Sequence, residues 1–190
     1  MRRLICLIWS TLDPLYLFCS KLECLQNADG RPTVFRIRLT RYKGRTITLS
    51  DGTEIRKNDV LIKVHLYNVL LLQEMLELQD PVKKAFLLYR RVNESLPDLA
   101  KFVLYHPKTD QVKGILGITM LHTGYRRLGF ESFPITSRLY LWFKRIGQFP
   151  MHLLFRPESF RIKDLPTPHY LFMSKEAIFS KYAPDIGNTT

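Results

Sequence analysis

The stretch Phe35-Arg36-Ile37-Arg38-Leu39-Thr40 alternates apolar and polar side chains at every position. A period of two is typical of a β-strand with one face on a core. A second alternating stretch, 60–67, follows after the turn signal Asp51-Gly52. The sequence therefore predicts an antiparallel β-meander, and we expect the face carrying Arg36 and Arg38 to point outward as a strongly basic surface.

Capping patterns predict helices downstream of this meander. Asn68 can cap a helix over 69–78, and Asp80-Pro81 supplies a cap and first helical residue for the next one. Pro97 begins a third predicted helix, which His106-Pro107 ends. Further strands are predicted over 112–120, 130–135 and 169–173, and Ser174 opens a last helix. These elements predict an α+β fold.

Size and charge narrow the class of protein. The chain has 190 residues, of which 46% are hydrophobic. This length and composition predict one domain with a single hydrophobic core. Lys and Arg number 29 against 17 Asp and Glu, a net charge of +12 that favours anionic lipid, nucleic acid or phosphorylated ligands. Its three cysteines are odd in number and lack CxxC spacing, which favours a reducing, cytoplasmic location.

The N-terminal segment carries an apolar stripe at three- and four-residue spacing, predicting a helix from about residue 3 to residue 24 that bends at Asp13-Pro14. The short apolar run fits neither a signal peptide nor a spanning helix. Such a helix either lies in a membrane interface or packs on the domain's own core. The interfacial interpretation gives membrane contacts to Arg2, Arg3, Trp9 and Lys21, with the aromatic helix of Trp142 assisting. We therefore divide the chain into a helical segment 1–25, an α+β domain 26–184 and a loose tail 185–190.

Common catalytic and phosphate-binding motifs are absent from the sequence. GxxxxGK[ST], GxGxxG, HExxH and GxSxG do not occur, and the five histidines lack close metal-ligand spacing. We expect neither a cofactor nor a metal.

His65 is a polar residue in an apolar context, at a predicted junction between strand and helix. Its imidazole can serve as acid or base, with Asn68 orienting a substrate or capping the helix, and Lys63 nearby as an anion ligand. A hydrogen-bonded structural histidine is the alternative.

A second candidate group lies in the turn after the strand over 112–120. His122 can act as acid or base there, and Arg126 and Arg127 can clamp a phosphate or carboxylate. Solvated loop arginines are the alternative. If His65 and His122 share a cleft, the chain is an enzyme acting on a glycan or glycan-lipid.

Several stretches in order resemble a known family. They include Leu12-Asp13-Pro14-Leu15-Tyr16, His65-Leu66-Tyr67-Asn68, the stretch 113–122 and Arg127-Leu128-Gly129-Phe130. Over nearly the whole chain they resemble the YkoP-like family of Bacillus and related Firmicutes. The resemblance implies a cell-envelope context, near glycan genes and polysaccharide deacetylases, and transfers no catalytic residues. Tyr67 stands where some relatives are expected to carry a second histidine, which argues against a two-histidine site.

These observations leave three hypotheses. The first is a cell-envelope accessory protein, peripheral to the inner face of the membrane, that binds anionic lipid or glycan-lipid and associates with envelope glycan enzymes. The second is the glycan-modifying enzyme. The third is a nucleic-acid binder using the basic strip from Arg36 to Arg45, although no nucleic-acid-binding motif accompanies that strip. Oligomeric state stays open.

Overall fold

The alternating stretches of sequence form the central strands of a larger sheet. The computed structural model describes residues 17, 20–75, 77–119, 124–136 and 167–183. A 3-10 turn at Thr109–Gln111 precedes the sixth strand. Along the chain, the elements are β1 (Glu23–Gln26), β2 (Pro32–Arg41), β3 (Ile47–Thr48), β4 (Glu54–Ile55), β5 (Val60–Leu66), α1 (Asn68–Met75), α2 (Pro81–Tyr105), β6 (Val112–Thr119), β7 (Glu131–Pro134), β8 (His169–Ser174) and α3 (Lys175–Tyr182).

Six strands form one mixed sheet in the order β1-β2-β5-β6-β8-β7, and β3 pairs with β4 in a separate hairpin. The α+β class is thus confirmed, with most strand pairs antiparallel. The pair β5 and β6 is parallel, because α1 and α2 carry the chain across the sheet between them. β7 is an edge strand, as its closing Pro134 requires, and a bulge interrupts the other edge strand, β1, between Cys24 and Gln26.

The two faces of the sheet differ in their cover. Side chains on one face of the sheet, such as Ile37, Ile62 and Met173, form the main core with α1, α2 and α3. Side chains on the opposite face include Leu61 and Phe172, which pack against the β3–β4 hairpin in a smaller apolar cluster. The hairpin therefore covers part of the face that the helices leave open.

Gly114 marks the tightest backbone contact in the sheet. A Cβ atom at this position would lie 2.4 Å from the carbonyl oxygen of Met173 on β8. Gly114 thus lets β8 pack closely against β6, whereas a Cβ at Gly117 would meet its neighbour at an ordinary 3.6 Å.

Helix α2 is one continuous helix of 25 residues, and the predicted break at Pro97 does not occur. A proline inside a helix costs about 3 kcal/mol. Three apolar side chains after it, Leu99, Ala100 and Val103, are buried in the main core, and each fully buried Leu or Val contributes roughly 1.5–3 kcal/mol. Packing therefore outweighs the local penalty, while the predicted Asp80 cap is confirmed by a 2.8 Å bond from the Val82 amide.

The predicted N-terminal helix does not reach residue 24. Lys21 has a φ of 51°, in the left-handed region, and strand β1 begins at Glu23. Leu22, counted in the helical stripe, is a buried residue just before that strand. In the described parts of the chain, no helix has the length and apolar content needed to cross a membrane.

Candidate anion-binding site

Four cationic or titratable side chains share one face of two adjacent strands. In the β2–β5 register, Arg36 lies opposite His65 and Arg38 opposite Lys63. All four side chains belong to the face of the sheet opposite the main core. Since opposing Cβ atoms in an antiparallel pair are about 4.5–5.5 Å apart, the side chains are direct neighbours. We call Arg36, Arg38, Lys63 and His65 the cation square.

Two members of the cation square are deeply buried. Arg36 is 4% exposed and Lys63 is 8% exposed. Arg38 and His65 are each partly exposed. The prediction that Arg36 lies on a solvent-exposed, basic face of β2 is therefore wrong. Alternation assigned this face to solvent, but the face is covered where Arg36 lies. The square has a buried floor and a more open side.

Local contacts hold the two arginines in place. The Cζ atom of Arg36 lies 3.8 Å from the ring centroid of Tyr67, a cation–π contact. Arg38 Nη1 donates a 2.8 Å hydrogen bond to the carbonyl oxygen of Ser20. Like charges directly opposite each other across strands are destabilising, and burial disfavours the charged form of a cation.

The same face becomes apolar toward β8 and β7. Tyr170 lies opposite Ile118 on one side and Phe133 on the other, and all three are partly exposed. Tyr170 also contacts Tyr42 with ring centroids 6.4 Å apart. Burial raises the pKa of both tyrosines, and at Tyr42 the neighbouring Tyr170 raises it further. An apolar, ring-bearing surface thus lies on the same face of the sheet as the cation square.

Polar contacts anchor the hairpin that borders this apolar surface. The carboxylate of Glu131 accepts hydrogen bonds of 2.9 and 3.1 Å from the Ser50 amide and one of 2.8 Å from its hydroxyl. Asp51 accepts a bond from Ser174 at 2.5 Å. Burial alone would raise the pKa of Asp51, but hydrogen bonds from Ser174 and Thr53 lower it overall.

A second group of cations lies at one end of the sheet. Asn58, with a φ of 73°, accepts bonds of 3.3 Å from Arg41 Nη1 at its carbonyl and from Lys43 Nζ at its side chain. Lys57 directly precedes Asn58, and Arg45 lies on the same loop as Lys43, between β2 and β3. All four cations are exposed. We call Arg41, Lys43, Arg45 and Lys57 the basic tip.

The comparison with known proteins supplies the family. A model of the YkoP domain matches residues 2–182. The chain belongs to the YkoP family. A relative printed as "Uncharacterized protein YkoP", from Bacillus subtilis (strain 168), is 43% identical over 176 residues, which is 92% of this chain and 94% of that protein. No solved structure matches significantly. The resemblance read from the sequence is therefore confirmed.

Within this YkoP-family fold, three predicted site residues lie close together in sequence and structure. Lys63 and His65 both lie in the cation square. Asn68 is the first residue of α1, three positions beyond His65, and is partly buried. The strand-to-helix junction predicted from the sequence is thus present, and the roles assigned to these side chains stay predictions.

The structure does not group Arg126 and Arg127 with the cation square. Their turn packs through Leu128 into the helix-side core, and the Tyr182 hydroxyl donates a 3.0 Å bond to the Leu128 carbonyl. Lys181 Nζ also donates to the Arg127 carbonyl. Both arginine side chains are exposed at this turn, which places them beside α3.

Of the remaining predicted site residues, Lys21 lies in the described part of the chain and is exposed just before β1. Among residues 20–75, 77–119, 124–136 and 167–183, no group of three or more His, Cys, Asp or Glu is arranged to hold a metal. The residues outside the described part are Arg2, Arg3, Trp9, His122 and Trp142.

The sequence placed Arg36 and Arg38 in an outward basic strip and did not group them with Lys63 and His65. A usable signal was present, because Arg36-x-Arg38 and Lys63-x-His65 repeat a two-residue spacing in two strands that a hairpin would pair. Recognising the group required the register of that pairing.

Proposed function

We propose that this YkoP-family protein is a peripheral membrane protein of the cell envelope that binds anionic lipid at the cytoplasmic leaflet. The observation that carries the proposal is the basic tip, in which Asn58 holds the exposed side chains of Arg41 and Lys43 together with Lys57 alongside. Association with envelope glycan enzymes, implied by the family resemblance, belongs to the same proposal, since a bilayer-bound protein meets them at a shared surface.

The N-terminal segment joins the fold toward the same end of the sheet. Glu23 on β1 pairs with Ile37 and Cys24 with Arg36, so the N-terminal end of β1 lies toward the end of β2 that carries Arg41. The hydrogen bond from Arg38 to Ser20 agrees with that direction. The sequence pattern of residues 1–20 supplies apolar side chains and two arginines. A cationic loop in a chain that also carries an amphipathic sequence segment favours a lipid surface over a nucleic acid.

The charges of the basic tip determine how strongly their removal should weaken binding to an anionic membrane. A Lys or Arg near an anionic bilayer contributes about 1 kcal/mol, and the attraction falls off over a Debye length of about 8 Å at physiological salt. Three exposed cations acting together thus change the partition coefficient by roughly 100-fold at low salt. Binding should weaken steeply as salt is added.

Vesicle flotation tests the proposal with a matched pair of triple variants. Arg41→Gln, Lys43→Gln and Lys57→Gln remove three charges from the basic tip. The control, Arg31→Gln, Lys83→Gln and Arg90→Gln, removes three exposed charges elsewhere. Arg31 directly precedes β2 and is about 33 Å from Arg41, at the other end of that strand. Lys83 is about 33 Å from Tyr105, at the end of α2 from which the chain continues toward the tip.

We expect the tip variant to lose binding to vesicles containing phosphatidylglycerol and the control variant to keep most of it. Equal binding by both variants would contradict the proposal. A third variant that neutralises Arg2, Arg3 and Lys21 measures the N-terminal contribution. Retention of single-stranded DNA on filters at low salt, together with no flotation, would favour nucleic-acid binding instead.

A further inference from the structure

We infer that Arg41 and Lys43, held together by Asn58, bind a single phosphomonoester group on a lipid, such as the head group of phosphatidic acid. We call these three residues the clasp. The inference rests on the membrane binding proposed above and names the head group that the basic tip selects. It requires recognition of one chemical group, whereas the membrane proposal requires only attraction to negative charge.

Asn58 brings the two cationic side chains of the clasp together. Its backbone carbonyl oxygen accepts a 3.3 Å hydrogen bond from Arg41 Nη1, and its side-chain oxygen accepts one of 3.3 Å from Lys43 Nζ. Both cations therefore converge on one residue. Because Asn58 is neutral, these contacts hold the side chains in place and leave their positive charge uncompensated.

The carboxylates nearest to Asn58 in the sequence contact Arg56 instead. Glu54 forms an ion pair with Arg56, and Asp59 accepts a 2.8 Å bond from the Arg56 amide. In the described part of the chain, Arg41 and Lys43 form no ion pair with a carboxylate. A guanidinium group has five N–H donors and an ammonium group three, so most donors of the clasp are available to an anion.

The backbone around the clasp is held in place from two sides. Tyr42 accepts a 2.8 Å bond from the Asn58 amide and donates a 2.9 Å bond to the carbonyl oxygen of Asp59. The Tyr42 ring is buried, and a Cβ atom at Gly44 would collide with it, so the loop after Lys43 passes directly over the ring. Donors that are held in place before binding lose less conformational entropy when a ligand arrives.

The charge and donors of the clasp match a phosphomonoester better than a phosphodiester. A monoester carries close to two negative charges at neutral pH and has three terminal oxygens that accept hydrogen bonds. The phosphodiester of phosphatidylglycerol carries one charge and has two such oxygens. A guanidinium group donates to phosphate oxygens in forked pairs, and an ammonium group adds a compact charge. Two cations converging on one residue thus suit the doubly charged group.

The residues beside the clasp favour a lipid over a soluble phosphate ester. Arg45 and Lys57 are exposed next to it. Their charges attract a membrane surface that carries many anions within a Debye length, about 8 Å at physiological salt, whereas a small ester offers them no further anion. The phosphate group is therefore expected on a bilayer.

Flotation of the full chain with two kinds of vesicle tests the inference. Phosphatidylcholine vesicles contain either phosphatidic acid or phosphatidylglycerol, and the fraction of each anionic lipid is adjusted until both have the same zeta potential at pH 7. Attraction to charge alone then gives equal binding. We expect about tenfold tighter binding to the phosphatidic acid vesicles, which corresponds to one additional charge-assisted hydrogen bond.

Asn58→Gly separates the clasp from the charge of the basic tip. This substitution removes the acceptor of Lys43, keeps the net charge, and suits the φ of 73° at this position. We expect the preference for phosphatidic acid to fall to about twofold or less, with little change in binding to phosphatidylglycerol vesicles. Circular dichroism confirms that the variant is folded.

Arg41→Gln and Arg45→Gln form a matched pair, because each removes one charge from the basic tip and only Arg41 belongs to the clasp. Each should weaken binding to phosphatidylglycerol vesicles about fivefold. Arg45→Gln should retain the preference for phosphatidic acid, and Arg41→Gln should lose it.

Equal binding of the unchanged protein to the two matched vesicles would overturn the inference and leave the membrane proposal standing. A preference that survives both Asn58→Gly and Arg41→Gln would do the same, and binding to neither kind of vesicle would overturn both. Calorimetric titration with glycerol 3-phosphate tests a soluble source of the same group. Weaker binding of this ester than of the vesicle lipid supports a lipid head group, and tighter binding overturns that assignment.

Discussion

The hydroxyl of Ser174 donates a 2.5 Å hydrogen bond to Asp51, which lies 123 positions earlier in the chain. The same oxygen accepts a 2.9 Å bond from the Ala177 amide and so caps helix α3. One buried hydroxyl thus joins the β3–β4 hairpin to the start of the last helix. The hairpin lies over the apolar half of the sheet face, next to the cation square.

Replacing Ser174 with Ala removes both contacts at once. Loss of a helix cap costs about 1 kcal/mol, and a hydrogen bond to a charged group adds roughly 1.5–3 kcal/mol, less where the acceptor is exposed as Asp51 is. We expect a loss of about 2 kcal/mol in urea denaturation. Ser180→Ala, at an exposed position of α3, should change stability by less than about 0.5 kcal/mol.

Asp51 should make stability depend on pH under acidic conditions. Its pKa in the folded protein is lowered from 3.8, so its contribution is present above the ordinary value and is lost as pH falls through the folded value. The difference in unfolding free energy between the unchanged protein and Asp51→Asn should shrink over that window. Burial raises the pKa of Asp98, so Asp98→Asn should show the opposite trend.

Gly114 should tolerate no side chain. An Ala Cβ would lie 2.4 Å from the Met173 carbonyl oxygen, and the backbone of β8 would have to move. We expect Gly114→Ala to cost about 1–3 kcal/mol. Gly117→Ala is the matched control on the same strand, where the nearest atom would be 3.6 Å away, and it should be neutral or slightly stabilising. Equal effects at the two positions would argue against the close strand contact.

Tyr182 should contribute to stability until the pH becomes strongly alkaline. Burial, and to a lesser extent Tyr89, raises the pKa of Tyr182 to about 12 from 10.0. Because the folded value is the higher one, its contribution is complete below pH 10 and is lost as pH rises toward 12. At neutral pH, Tyr182→Phe should cost about 1 kcal/mol through the lost bond to Leu128. Tyr105→Phe, at a position that is 74% exposed, should have little effect.

Local patterns in the sequence identified most described elements of this fold. Alternation around Ile37 gave β2, Asp51-Gly52 gave the hairpin, and the caps at Asp80 and Ser174 gave two helix starts. These features depend on neighbours in the chain. The continuity of α2 through Pro97 was missed, because it depends on core contacts that a local rule does not count.

The candidate site shows the same contrast between features that local sequence patterns predict and features that depend on contacts between distant residues. Lys63 and His65 stood out because they interrupt an apolar stretch, which is a local signal. Arg36 and Arg38 became site residues only when the register placed them opposite His65 and Lys63. The burial of Arg36 was also unpredictable from alternation, since a period of two separates the faces of a strand without saying what covers each one.

The edges of the six-stranded sheet have a consequence for self-association. Each edge strand is four residues long; a bulge distorts β1, and β7 ends in a proline that has no amide hydrogen to donate. Long, regular edges are the ones that recruit strands from other molecules into aggregates and fibrils. The described sheet thus offers a poor template for such growth.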